Sequence, residues 1–166
     1  IERALEDLRQ GKMVVLADGA HGEADLCVAA ELVTPEVVNF MAMHARGLVC
    51  LTVPRERMQQ LGIPLMVPEL GASGQPFGAS IEARHGVTTG ISAADRATTI
   101  LAVMADDASP ADVVMPGHIF PVMARAGGVL VRAALTEASV DLVRLAGLKP
   151  GATVCAILDD NGNLAE

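Results

Sequence analysis

The chain predicts an α/β fold: a single-domain sandwich of helices around a mixed sheet. Three observations carry that expectation. Short apolar β-type runs alternate with helical-period segments along the whole length. Gly, Pro, Thr and Ser punctuate the boundaries between them. At 166 residues, 51% hydrophobic and 19% charged, the sequence suits one buried core.

The elements follow in order. Ile1, Ala4, Leu5 and Leu8 recur at helical spacing and stop at Gly11. Residues 13–17 form a β-type run, and the small-residue loop 18–25 leads into a second strand over 26–30. Thr34-Pro35 is a helix start, with Thr as cap and Pro at the first helical position, for a helix running to about Arg46 and ended by Gly47. A strand over 48–53 and a short helix over 54–61 come next. Residues 63–78 hold Pro64, Pro68, Pro76, Gly71, Gly74 and Gly78 and read as an irregular connection. A strand over 79–84 precedes a helix capped by Ser92. Pro116-Gly117 reads as a turn before a strand over 119–124. Gly127-Gly128 is a second turn, followed by a short strand and then a helix over 137–146 capped by Thr136. A last strand covers 152–158, with a turn at Asp160-Asn161-Gly162.

Composition excludes several classes. The formal charge is −8, with no Trp, no Tyr and three Phe, so the basic face and stacking platforms of a nucleic-acid binder are missing. No apolar run approaches the roughly 18 residues of a membrane span. Ile1-Glu2-Arg3 is no signal peptide, and the missing initiator Met fits a trimmed or processed chain. Cys27, Cys50 and Cys155 lie far apart in apolar surroundings, which argues for a reducing, cytoplasmic home. Met41, Met43 and Met66 are core or interface filler.

Four places could carry chemistry. A helix start attracts anions, and Arg132 lies just before one, so Arg132 and Thr136 could hold a phosphate monoester. An ordinary capped helix with a solvated Arg satisfies the same spacing. His118, at the Pro116-Gly117 turn, could be a general acid or base, or a surface histidine. Thr88-Thr89-Gly90, ahead of Ser92 and Asp95-Arg96, could present hydroxyls to a ligand, or be a capped helix start with a surface ion pair. His21, Glu23 and Asp25 alternate in one loop and make at best an incomplete metal site; such donors usually face water. Cys50, mid-strand, reads as a core residue.

The motifs RHGVTTGISAADRATTI (84–100), PGHIFPVMARAGGVL (116–130) and TEASVDLVRLAGLKP (136–150) closely resemble 3,4-dihydroxy-2-butanone 4-phosphate synthase, as do MVVL, NFMAMHARGLVCL and LGIPLMV. The similarity covers essentially the whole chain in order. It implies a single domain over 1–166 that lacks the family's C-terminal strand and helix, and that could be the first part of a fusion with a GTP cyclohydrolase II-like domain. It further implies conversion of D-ribulose 5-phosphate to L-3,4-dihydroxy-2-butanone 4-phosphate and formate for riboflavin synthesis, with Mg²⁺ (or Mn²⁺), in a homodimer with sites at the subunit interface.

Residue by residue, the resemblance makes Arg132 and Thr136 the phosphate-binding pair and His118 the essential histidine. Cys50, Thr88 and Thr89 match positions lining the sugar pocket, and Asp25 and Glu23 match acids of the acidic loop. Three departures stand out. The family loop resembles DDEDRENEGD, whereas 17–25 here is ADGAHGEAD, one residue shorter and without the metal-binding Glu; His21 is the residue nearest in register. Leu135 stands where the family has a metal-binding His, and Ala156 where it has a catalytic Glu. Leu coordinates no Mg²⁺ and Ala carries no proton, so the resemblance implies a weak or inactive synthase. The alternatives are a non-catalytic scaffold or regulatory domain that still binds a sugar phosphate, or a metal-free reaction on a related phosphorylated sugar with His118 and Cys50 as the catalytic acid/base residues.

Overall fold

The structure is a computed structural model that describes residues 1–19, 22–67 and 74–165. Its elements are α1 (Glu2–Arg9), β1 (Val14–Asp18), β2 (Glu23–Ala29), α2 (Pro35–Phe40), β3 (Arg46–Pro54), α3 (Arg55–Gln60), β4 (Ile81–Ala83), α4 (Ala93–Met104), β5 (Val113–Ala124), α5 (Leu135–Leu145) and β6 (Ala152–Ile157). The six strands form one sheet in the order β1-β2-β6-β3-β5-β4. β3 and β5 are parallel and the other pairs antiparallel. The predicted mixed sheet with helices around it is what forms.

Strand alternation explains why both faces are covered. Cys27, Cys50 and Val154 point to one face, where Leu8 of α1 and Val143 of α5 pack on them. Val28, Leu51 and Cys155 point to the other and meet α2, α3 and α4 through Val38, Met58 and Ile100. Two helix caps form as their residues dictate: Thr34 accepts from the Val37 N–H (3.3 Å) and Ser92 from the Asp95 N–H (3.0 Å). No helix among the described residues is long and apolar enough to cross a membrane.

Several local expectations are corrected. Pro116, Gly117 and His118 lie inside β5, not in a turn ahead of a strand. The register shifts between Ile81 and Glu82 of β4, so β5 carries extra residues there and the proline owes no ladder bond. Gly117 is required at that point, because a Cβ would run into the backbone of Ile81 and Glu82. The short strand expected after Gly127-Gly128 is a 3₁₀ turn over Gly128–Leu130, tied by the Val129 N–H to the Asp141 carboxylate (2.9 Å). Glu23 and Asp25 belong to β2, since hairpin pairing with β1 extends to Asp18–Glu23. The α2 helix gives way to a π turn over Met41–Ala45, and Arg46 takes the left-handed conformation (φ 68°).

α5 starts earlier than expected. Its N-cap is Ala134, without a side-chain cap bond, and Thr136 is its second residue. Asp95 is also no surface partner of Arg96. It is buried and accepts from the Thr88 N–H (3.1 Å), the Thr88 hydroxyl (2.7 Å) and the Gly90 N–H (3.0 Å). Met41 is core, whereas Met43 and Met66 are exposed.

Candidate active site

A cleft of about 600 Å³ opens on the α1/α5 face of the sheet, between the strands and the start of α5. Each wall follows from the fold. Glu23 and Asp25 come from β2, Cys50 and Thr52 from β3, Val154 and Ala156 from β6, and residues 132–136 from the entry to α5. Gln75, Phe77 and Leu164 complete the rim.

One end is suited to an anion. The first N–H groups of an α-helix lack intrahelical acceptors, and α5 has no capping side chain to occupy them. Arg132 reaches the same end, 3.2 Å from Glu137 through one guanidinium nitrogen. Glu137 is fully buried and also accepts from the Arg125 N–H (2.9 Å). That carboxylate anchors Arg132 beside the helix start, where its remaining donors can serve a ligand. Thr136, only 8% exposed, lines the same end.

The opposite end is acidic. Asp18 and Glu23 pair across the β1–β2 hairpin, and Asp25 follows on the same face as Glu23. Burial, reinforced by the neighbouring Glu23 charge, pushes Asp25 up to about 6 from its ordinary 3.8. Between the two ends, burial raises the Cys50 thiol to about 12, so at neutral pH it is a thiol and not a nucleophilic thiolate. Cys50 is buried as a core residue and still lines the cleft.

Leu135 and Ala156 face this same space. Their side chains offer neither a metal ligand nor a proton carrier. Among the described residues, no group of three or more His, Cys, Asp or Glu is placed to hold a metal ion. His21 lies outside the described residues.

Of the predicted site residues, the fold gathers Glu23, Asp25, Cys50, Arg132 and Thr136 around one cleft and leaves His118, Thr88 and Thr89 out of its lining. Those three belong to a second cluster at the edge of the sheet. There His118 Nδ1 lies 2.6 Å from Glu82 Oε2, and Thr88 is bound to Asp95. Thr89, next to Thr88, is exposed. Sequence reasoning did not single out Glu82 or Glu137. The signal for Glu82 was an acid inside the apolar run Ile81-Glu82-Ala83. Glu137 resembled an ordinary first-turn acid.

The family model for 3,4-dihydroxy-2-butanone 4-phosphate synthase matches residues 2–166. A 3,4-dihydroxy-2-butanone 4-phosphate synthase of Pseudomonas aeruginosa is 54% identical over 99% of this chain and 46% of its own length. The riboflavin biosynthesis protein RibBA of Aquifex aeolicus is 53% identical over 99% of this chain and 42% of its own. This chain thus spans about half the length of such relatives. Among solved structures, a two-domain 3,4-dihydroxy-2-butanone 4-phosphate synthase from A. baumannii superposes with a TM-score of 0.95 at 53% identity, covering 99% of this chain and 49% of that one. A synthase in complex with two magnesium ions superposes at 0.91 with 42% identity, covering 96% and 76%. With the family model and the relatives matching nearly end to end, the chain belongs to the 3,4-dihydroxy-2-butanone 4-phosphate synthase family of riboflavin biosynthesis.

Proposed function

We propose that this domain takes D-ribulose 5-phosphate, or a closely related sugar phosphate, into the cleft, and that its synthase turnover is weak or lost. The observation that carries this reading is the composition of one cleft wall. Arg132 and Thr136 stand at the anion end, while Leu135 and Ala156 bring no functional group to the same space. Arg132 and the α5 amides hold the phosphate, and Thr136 adds a hydroxyl. Asp25 and Glu23 accept hydrogen bonds from the sugar hydroxyls. Cys50, protonated at neutral pH, can donate a proton or a hydrogen bond to a sugar oxygen but does not attack carbon.

His118 is the acid/base group of the reading, and it stands outside its own chain's cleft lining. A homodimer that sets the His118, Thr88 and Thr89 cluster of one subunit against the neighbour's cleft accounts for both locations. Mg²⁺ or Mn²⁺ binding is weak or absent in this reading, because Leu135 stands in place of one metal-binding residue and the loop over 17–25 lacks the other. The three free, buried cysteines support a reducing, cytoplasmic setting.

A second reading, full synthase activity, is favoured by the 54% identity to the Pseudomonas aeruginosa synthase. Formate release from D-ribulose 5-phosphate, with and without Mg²⁺, separates the two. The comparison is the wild-type chain beside a variant carrying Leu135→His, Ala156→Glu and a rebuilt acidic loop. We expect release only from the rebuilt variant, with sugar-phosphate binding in both. Turnover by the wild type at a rate comparable to the rebuilt variant would select the second reading. Thr136→Val keeps the side-chain volume and should weaken phosphate-dependent binding roughly tenfold, the worth of one hydrogen bond to a charged group.

A further inference from the structure

We infer that Glu82 is the positioning residue for His118, holding its ring as the Nδ1–H tautomer so that Nε2 is the basic nitrogen. The inference rests on the reading of His118 as the acid/base group. Glu82 sits in the middle of β4 and is only 8% exposed. A carboxylate buried to that degree must be compensated by specific partners. It has two: His118 Nδ1 at 2.6 Å from Oε2, and the Thr99 hydroxyl at 3.1 Å from Oε1. Thr99 is itself fully buried and accepts the Ala83 N–H (3.0 Å), which fixes it in place. An ionised carboxylate only accepts hydrogen bonds, so Nδ1 must carry the proton. In the neutral ring the lone pair then falls on Nε2, on a side chain that is 42% exposed.

The surroundings are built to keep this pair together. Gly90 lies over it with φ +92°, and a Cβ there would stand 2.6 Å from His118 Nδ1 and closer still to the Glu82 carboxylate. Gly90 is held by its N–H to Asp95 Oδ2 (3.0 Å). The Thr88 N–H and hydroxyl bind the same carboxylate. Asp95 lies in the first turn of α4, whose cap Ser92 accepts the Asp95 N–H. The start of α4 therefore clamps the Thr88–Gly90 turn against the His118–Glu82 pair. A buried acid orients one imidazole, and a second acid holds the turn above it.

The test is the histidine-ring ¹H–¹⁵N correlation of the ¹⁵N-labelled chain at pH 8, with thermal unfolding recorded for each variant. In the wild type His118 should show a protonated Nδ1 and an unprotonated Nε2. Glu82→Met removes the acceptor at similar volume, and the single-tautomer pattern should be lost, with an Nε2–H signal appearing. Glu82→Asp, which restores a carboxylate, should recover the Nδ1–H pattern at least in part. Gly90→Ala should disturb the pattern with Glu82 still present. An Nε2–H tautomer in the wild type, or an unchanged Nδ1–H tautomer in Glu82→Met, would overturn the inference. If Glu82→Met fails to fold, the wild-type tautomer and the Gly90→Ala spectrum decide. The formate and binding assays above bear on the wider reading and not on this one. The tautomer is visible whether or not the chain turns over.

Discussion

Asp25→Asn tests the electrostatics of the cleft directly. Asp25 lies in β2 opposite Leu16 of β1 and Ala156 of β6, so its cross-strand neighbours supply no side-chain donor. Burial and the Glu23 charge raise it from 3.8 to about 6. Raising a carboxyl by that amount costs the ionised folded state about 3 kcal/mol. Between pH 3.8 and about 6 the folded chain holds this proton more tightly than the unfolded chain. The contribution of Asp25 to stability is therefore most favourable below about pH 4, falls as pH rises through that window, and is flat above it. Asn carries no charge, so the variant escapes the cost. It should be more stable than the wild type by up to about 3 kcal/mol at pH 8 and nearly equal to it at pH 4. Urea unfolding at both pH values and one protein concentration measures the difference, with the other titrating groups cancelling between the two proteins. An equal effect at the two pH values, or a loss of stability at pH 8, would refute the reasoning.

Other outcomes follow from the same structure. Arg132→Ala should abolish sugar-phosphate binding, but it also leaves the fully buried Glu137 carboxylate without its cation. A cost of roughly 3–5 kcal/mol is expected, and Arg132→Ala combined with Glu137→Gln should recover part of it without recovering binding. Denaturant melts beside calorimetric titration distinguish the two effects. Gly47→Ala should destabilise the fold by roughly 1–3 kcal/mol, because a Cβ there would run into the Ala156 backbone at the β3–β6 irregularity. Thermal unfolding reads that loss. Leu51→Ala, at a fully buried position of β3, should cost roughly 2–5 kcal/mol with ligand binding retained, since Leu51 faces the layer away from the cleft.

Sequence reasoning located most elements because each rests on local chemistry. Thr34-Pro35 and Ser92 cap their helices as those residue types do, and the apolar 13–17, 48–53 and 152–158 runs form strands, β1 at the sheet edge and β3 and β6 in its interior. It missed where longer-range contacts override the local signal. Pro116-Gly117 reads as a turn in isolation, yet the bulge against β4 absorbs it into β5. Thr136 has the side chain of a cap, yet burial draws it into the helix and leaves Ala134 as N-cap. Asp95-Arg96 reads as a surface pair until the Thr88–Gly90 turn folds back and uses the Asp95 carboxylate.

Composition, strand and helix periodicity and the long motifs determined, without coordinates, an acidic α/β domain built on a mixed sheet. Those properties depend on neighbours in the chain, and neighbours in the chain are visible in a sequence. Only the tertiary structure decided that Glu23, Asp25, Cys50, Arg132 and Thr136 share one cleft, with Leu135 and Ala156 in its wall. It alone set His118 apart from that cleft and beside Glu82. Those groupings join residues dozens of positions apart. They arise from the order in which six strands pair, which no local pattern encodes.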